Sequence, residues 1–417
     1  MKEFKNVKIF ASIIEDGVID QINNLISIEA FKDSKIRLME DTHVGASGPI
    51  GFTANLGDKV IPNIVGVDIG CGISATNIGK LDITKEQLKD FHDYINTWVP
   101  SGQNIRKDIQ IIPKSIHQEF IEIYKESVDI ISSLHCYRNL KNVDRLKKSI
   151  GTLGGGNHFI SIEKSNDNNY ILIHTGSRNL GKQVAEFYQE KAVKHLIEGE
   201  DEFEQLIKDT IERMKAEGKR KEIQQVIAKM KWQHKAKEPK ICKELCYLEG
   251  EGRQEYLHDM KLCQRWAVLN RKAISLILSS FFTNKVIEHF ESIHNYIGDD
   301  NIIRKGAISA YEGEKCIIPM NMRDGSLICI GKGNEDRNYS APHGAGRIMS
   351  RNKAFENITI DEFKKSMKGI NTWSINEFTI DESPMVYKPM EEIVKTLGDT
   401  VDIIEHIVPV FNFKANS

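Results

Sequence analysis

The chain lacks the features that would place it among membrane, secreted or modular proteins. No apolar run approaches the length of a bilayer span. The opening residues, Met1-Lys2-Glu3-Phe4-Lys5-Asn6, carry no apolar leader core, so neither an anchor nor a secretory signal is expected. No Pro/Ser-rich linker, low-complexity tract or fixed-period repeat divides the sequence, which argues against a string of modules. Neither sign of charge dominates: 57 Lys and Arg against 59 Asp and Glu leave a net charge of -2. That excludes a general nucleic-acid coat, though not a local basic groove. Cysteine is scarce, with seven residues irregularly spread. An odd, scattered set excludes a disulfide framework and fits reduced thiols in a cytoplasmic chain. Cys242 and Cys246 have no second pair at zinc-finger spacing and read as core or surface thiols.

Against that background one stretch stands out, Gly66-Val67-Asp68-Ile69-Gly70-Cys71-Gly72-Ile73. The apolar residues Ile61, Ile64 and Val65 before it predict a buried strand running out into a glycine-rich bend. A carboxylate and a thiol three residues apart on such a bend can aim at one point and offer a transition metal a hard and a soft donor. A buried structural cysteine beside a turn-capping aspartate satisfies the same residues, and the stretch alone leaves both readings open.

Other stretches share its character. Asp41 and His43 alternate with Thr42 and share a face of an extended segment. Gly154-Gly155-Gly156-Asn157-His158-Phe159 bares the backbone before an imidazole. The apolar strand Tyr170–Ile173 ends in His174-Thr175-Gly176-Ser177-Arg178, where Gly, Ser and Arg suit an anion. His294-Asn295 follows an aromatic-rich segment, Arg304-Lys305-Gly306-Ala307 is a short basic turn, and Pro342-His343-Gly344-Ala345-Gly346-Arg347 surrounds a histidine with small residues. Each histidine singly has an ordinary explanation as a satisfied loop residue. Together, Asp68, Cys71, His158, His174, His294 and His343 all fall at strand ends or glycine-rich turns, whereas His92, His195, His234 and His258 sit at helical or periodic positions and read as surface or core.

The remaining pattern is scaffold. Capping boxes at Thr84/Gln87 and Thr359/Glu362 predict helix starts, and a strand over residues 7–14 is expected to lead into a helix ending near Ile28. A helix is expected over about Ile116–Leu134, and Tyr256, Met260, Cys263, Ala267 and Ile274 trace a buried helical face carrying Asn270-Arg271. Residues 190–245 are helical, polar and rich in lysine, a solvated surface or an RNA-touching hairpin. Because the glycine–histidine stretches run from 43 to 343, one large α/β (α+β) domain spanning residues 1–417, with a helical insertion at about 190–245, is the expected organisation.

These stretches, in this order and spacing, resemble the RtcB family of RNA ligases along nearly the whole chain. The likeness rests on Asp41-Thr42-His43, Asp68-Ile69-Gly70-Cys71-Gly72, Gly155-Gly156-Asn157-His158-Phe159, His174-Thr175-Gly176-Ser177-Arg178, Asn270-Arg271, His294-Asn295, Arg304-Lys305-Gly306-Ala307, His343-Gly344-Ala345-Gly346-Arg347 and Tyr387-Lys388. The resemblance implies mixed sheets around a binuclear metal cleft. It implies joining of an RNA 2′,3′-cyclic phosphate or 3′-phosphate end to a 5′-hydroxyl, with GTP as cosubstrate and two manganese ions, in RNA repair or tRNA splicing. Carried over, Cys71 would bridge the metals, Asp68 and His158 would complete one site, and His174 with His294 the other. His343 would accept GMP. Asn157 and Gly344, Ala345 and Gly346 would hold phosphates, and Lys388 would meet the nucleotide. Asp41, His43, Arg178, Lys305 and Arg347 would support them. An activating protein partner is compatible with the family and a membrane is not expected. Two departures bear on the nucleotide: Ser161 stands where the family has a glutamate, with Glu163 two further on, and Met320-Asn321-Met322-Arg323 replaces a Gly-Ser-Met-Gly loop. A cyclic phosphodiesterase that does not ligate, or an RNA-end-binding protein with a decayed nucleotide site, are the alternatives those departures raise.

Overall fold

The structure, a computed structural model, describes residues 3–4, 6–197, 200–233, 239–282 and 286–415. Local signals start several helices. The Thr84 hydroxyl accepts the Gln87 backbone N–H while the Gln87 side chain accepts that of Thr84, opening the helix Lys85–Trp98. Thr359 and Glu362 do the same for Ile360–Ser366. The helix His117–Ser132 and the 33-residue helix Gly250–Phe282 follow the expected apolar periods, the latter burying Tyr256, Met260, Cys263, Ala267 and Ile274.

Three sheets carry the fold. A six-stranded sheet runs in the order Glu3–Phe4, Val7–Ile9, Ile36–His43, Ile50–Asn55, Ile302–Lys305, Tyr296–Ile297. An eight-stranded sheet runs Lys315–Asn321, Gly325–Gly331, Val401–Phe413, Phe159–Lys164, Asn169–Thr175, Gly72–Gly79, Glu288–Ile293, with Asn371–Thr372 added beside Val401–Phe413. Ala307–Ser309 and Ser340–Pro342 form a small antiparallel pair. Most pairings are antiparallel, but Val7–Ile9 with Ile36–His43 and Asn371–Thr372 with Val401–Phe413 are parallel, so the sheets are mixed and, with the helices, make the expected α/β (α+β) fold. The long helix packs on the strands Gly72–Gly79 and Asn169–Thr175 and on the helices His117–Ser132 and Arg178–His195, giving the largest apolar core.

Two local expectations fail. Residues 62–65 form a helical turn rather than a strand. Pro62 at its first position has its φ preset for a helix and no N–H to give a sheet, and Gly66 at φ 95° ends the turn. The first strand stops at Ile9, because only Val7, Lys8 and Ile9 find partners on Ile36–Leu38, and the following helix is Asp16–Ile26. In the polar region after residue 190, the helices Glu200–Ala216 and Ile223–Gln233 pack on each other and the first of them on Arg178–His195. His234, Lys235 and Lys237 lie outside the described residues. No described helix is long and apolar enough to cross a membrane.

Candidate functional site

Five metal-capable side chains meet where four neighbouring strands of the larger sheet end. Gly72 pairs with Thr175 on one side and Ile293 on the other, which brings Cys71, His174 and His294 to one edge. Phe159 pairs with His174 and so sets His158 alongside. Asp68 enters from the bend before Cys71. That bend presses on the long helix: a Cβ at Gly70 (φ 69°) would lie 2.7 Å from the Cα of Gln264, so only glycine fits.

The donor atoms fall into two groups sharing the thiol, Asp68–Cys71–His158 and Cys71–His174–His294. Asp68 Oδ2 stands 2.9 Å from His158 Nε2, Cys71 Sγ is 3.6 Å from His158 Nε2 and 3.3 Å from His174 Nε2, and His174 Nε2 is 3.3 Å from His294 Nε2. The Nδ1 atoms of His158 and His174 lie against the carbonyls of Leu153 (2.9 Å) and Asn157 (3.2 Å), which turns both Nε2 atoms inward. Burial, then the neighbouring imidazoles, holds His174 and His294 well below the usual histidine range, so both are neutral donors. Burial, and after it the Asp68 carboxylate, pushes the Cys71 thiol up. Burial alone would raise Asp68, but the His158 hydrogen bond and charge outweigh it and its carboxyl is held low. Two imidazole nitrogens facing each other at 3.3 Å, beside a buried thiol and a carboxylate, are a donor set that divalent transition metals fit.

Buried polar clamps hold this geometry. Arg271, fully buried, donates to the carbonyls of Gly70 (2.9 Å) and Thr175 (2.8 Å) and to Glu291 (2.9 Å). Asn270 accepts the backbone N–H groups of Gly151 and Thr152 and donates to the carbonyls of Thr152 and Gly176. Asn295 donates weakly to the Asp68 carbonyl and accepts the Gly306 N–H, tying the bend to the Lys305–Gly306 turn.

His343 approaches from the small sheet. Its Nδ1 lies 2.6 Å from Oδ2 of Asp41, which also accepts the backbone N–H of His343 (3.0 Å) and of Gly344 (3.2 Å). Asp41 is fully buried at the end of Ile36–His43. Nδ1–H donating to it leaves Nε2 as the nitrogen with a free lone pair. The His343 ring stands 4.7 Å, centroid to centroid, from that of His294. Gly346 presses on the same strand, since a Cβ there would come within 2.2 Å of the Asp41 carbonyl oxygen. A cavity of about 510 Å³ joins the parts: His174, Asn157, His43, His343, Gly344, Ala345, Gly346 and Arg347 all line it. His43 donates its Nδ1–H to the Asp41 carbonyl (2.9 Å), and burial pushes its pKa down to about 4.

Several expected residues, inside the cavity or away from it, spend their polar groups on protein partners. Lys388 does not line the cavity; its ammonium donates to the carbonyls of Ile13, Glu40 and Thr42 and so supports the Asp41 strand. Gly344 gives its N–H to Asp41 rather than to the open cavity. Lys305 is buried with its ammonium on the Asn63 carbonyl, and burial pulls its pKa down to about 8. The Arg178 guanidinium donates to Thr152 and to the Gly102 carbonyl. Arg347 donates to the carbonyls of Met349 and Asp381.

A second group of cavity residues gathers around Glu382. Glu382 receives the Tyr387 hydroxyl (2.8 Å), the buried Lys414 ammonium, Arg351 (3.1 Å) and Arg347 (3.5 Å). They come from positions 347 to 414 and carry common residue types, so no spacing links them; Arg347 and Tyr387 lie in stretches the sequence singles out, whereas Arg351, Glu382 and Lys414 do not. Glu163 lines the same cavity. It alternates with Ser161 along the Phe159–Lys164 strand, so the two share a face, and the Ser161 hydroxyl donates to its Oε1 (2.9 Å). Its Oε2 is buried with no hydrogen-bond partner, and burial lifts its pKa to about 8.

Comparison with known proteins agrees with this architecture. The family model described as tRNA-splicing ligase RtcB matches residues 21–415. An RNA-splicing ligase RtcB1 of Escherichia coli is 29% identical over 398 residues, covering 88% of this chain and 87% of its own length. The RNA-splicing ligase RtcB of Escherichia coli K12 is 28% identical with the same coverage. A tRNA-splicing ligase RtcB of Methanococcus maripaludis is 25% identical over 475 residues, covering 93% and 88%. With the match spanning nearly every element that builds the cavity, the chain belongs to the RtcB family.

Proposed function

We propose that this protein is an RNA ligase that joins a 3′-phosphate or 2′,3′-cyclic phosphate end to a 5′-hydroxyl end, using GTP and two manganese ions through a guanylylated His343. The observation that carries the reading is the pairing of His343 with buried Asp41 at 2.6 Å, which leaves Nε2 free on a cavity that His174 of the metal-capable cluster also lines, with the His294 ring 4.7 Å from that of His343. The names of the relatives, RNA-splicing and tRNA-splicing ligases, supply the substrate class.

Asp68, Cys71 and His158 would hold one metal, and Cys71, His174 and His294 the other. When bound, the two ions supply Lewis-acid neutralisation of phosphate charge. The side chains do the rest. Asp41 fixes the His343 ring with Nδ1–H toward the carboxylate, and the Nε2 lone pair attacks the α-phosphorus of GTP. The P–N bond forms as the P–O bond to pyrophosphate breaks, and Asp41 stabilises the imidazolium character that develops. An oxygen of the RNA 3′-phosphate then attacks that phosphorus, returning the P–N electrons to Nε2. The 5′-hydroxyl attacks the activated RNA phosphate and GMP leaves. A cyclic phosphate is first opened by water.

Arg347, Arg351 and Lys414 around Glu382 are the cations we assign to the nucleotide's phosphates, and Glu163, with one carboxyl oxygen unpartnered, is the group we assign to its base. Incubation with manganese and GTP labelled at the α-phosphate tests the reading. Wild type should become labelled and His343→Ala should not; absence of label with any nucleotide would overturn it.

A further inference from the structure

A second group of ligand atoms lies away from the cavity and shares no residue with it. His135 sits in the turn after the helix His117–Ser132, and His258 and Asp259 sit on the helix Gly250–Phe282. These two helices pack against each other. The imidazoles of His135 and His258 lie 4.5 Å apart between ring centroids with their planes at 59°. His258 Nδ1 is 3.0 Å from Oδ1 of Asp259, and one donor atom from each of the three residues lies within 4.8 Å of the others.

The carboxylate is built into position rather than draped on the surface. Asp259 is fully buried, its Oδ1 accepts the backbone N–H of His135 (2.9 Å), and its Oδ2 accepts the backbone N–H of Cys136 (3.0 Å) and the Tyr188 hydroxyl (2.8 Å). The His135 backbone is thereby pinned against Asp259, which holds its imidazole over that of His258. No Lys or Arg among the described residues pairs with Asp259, so the carboxylate faces two solvent-exposed imidazoles without a fixed cation. A buried carboxylate satisfied only by neutral donors favours a cation in place of one of them, here the His258 Nδ1–H.

We propose that His135, His258 and Asp259 bind a zinc-class divalent ion, separate from the ions of the catalytic cavity. Two imidazoles and one carboxylate are a borderline donor set suited to Zn²⁺, with Co²⁺ as its spectroscopic substitute. Solvent water completes the coordination, because both imidazoles are exposed. The ion would replace the proton now shared between His258 Nδ1 and Asp259 Oδ1. It would staple the turn after one helix to the helix that carries Asn270 and Arg271.

The test is Co²⁺ binding to the full chain after metal stripping, read by bound metal per chain and by absorption. In the Cys71→Ala background, which removes the thiolate, the remaining Co²⁺ should give d–d bands without thiolate-to-metal charge transfer. Adding His135→Gln, a substitution at an exposed side chain that the fold tolerates, should abolish those bands and lower the count by one ion per chain. His135→Gln alone should also lose one ion while keeping the charge-transfer band and the nucleotide adduct. Equal Co²⁺ counts and spectra with and without His135→Gln would overturn the proposal. Failure of the catalytic-cavity reading has a different signature, a Cys71→Ala count equal to that of wild type.

Discussion

The two ends of the cavity are built in different ways. At one end Asp68, Cys71, His158, His174 and His294 come from adjacent strand termini of a single sheet and are held by buried Arg271 and Asn270. At the other, Glu382 gathers Arg347, Arg351, Lys414 and Tyr387 from separate segments of the C-terminal third. The first end uses scarce residue types whose lone pairs must converge, which demands rigid neighbours and glycine bends. The second uses common ionic side chains that balance one another's charge, and it tolerates many arrangements. Chemistry that requires precision leaves a local mark; charge balance does not.

Breaking the first end should have the largest consequence. Cys71→Ala removes the donor common to both groups, so metal analysis should show both catalytic ions lost and ligation gone, with the circular dichroism spectrum retained. Ions retained at wild-type level would remove Cys71 from the centre of the account. Asp41→Asn keeps the shape of the His343 partner but removes its charge, and adduct formation should slow by about 10²–10⁴-fold. At the second end the expected effect is on stability first. Glu382→Gln leaves the buried Lys414 ammonium without its carboxylate and should cost about 3–5 kcal/mol in denaturant unfolding. Unchanged stability would show that Arg351 and Lys414 are solvated by other means.

Two residues lining the cavity should respond to pH with opposite signs. Burial holds His43 near pKa 4 in the folded protein against 6.5 for an ordinary histidine. The unfolded chain therefore takes up this proton first; stability is full above about pH 6.5 and falls as pH drops toward 4. Buried His174 and His294 act in the same direction. Glu163 is the reverse case: its folded pKa is raised from 4.5 to about 8, so its contribution is full below 4.5 and is lost as pH rises through 8. Each group contributes up to about 1.4 kcal/mol per pH unit within its window. Metal-free protein followed by thermal unfolding should lose stability on both sides, and Glu163→Gln should reduce the alkaline loss to the part due to buried Glu40, whose pKa is raised to about 7, while leaving the acid one. The smallest effect belongs to the exposed turn at Lys219, Arg220 and Lys221 between the two polar helices. Charge reversal there should weaken RNA binding a few-fold at low salt and less at high salt, without changing adduct formation; no change in RNA affinity would reduce those helices to scaffold.

What the sequence disclosed follows the same division. Capping boxes at Thr84 and Thr359 depend on residues three apart and could be read directly. Cys71, His174 and His294 are legible because scarce metal-capable residues recur at strand ends, two of them near glycines, and the strand register brings them together. The apolar run at Pro62 is ambiguous between strand and helix because it has no period of its own, and proline's preset φ decides for the helical turn. Lys388 was expected at the nucleotide, yet three backbone carbonyls claim its ammonium, a contact that only the folded chain reveals. Glu382 and Lys414 meet across 32 residues with nothing in the intervening sequence to link them.

The most direct test is to locate the nucleotide adduct. Wild-type protein incubated with manganese and GTP, digested and analysed by mass spectrometry under alkaline conditions, should carry GMP on the peptide containing His343, acid-labile as a P–N bond is, and Asp41→Asn should carry far less. GMP attached to another residue, or ligation proceeding undiminished in His343→Ala, would contradict the account.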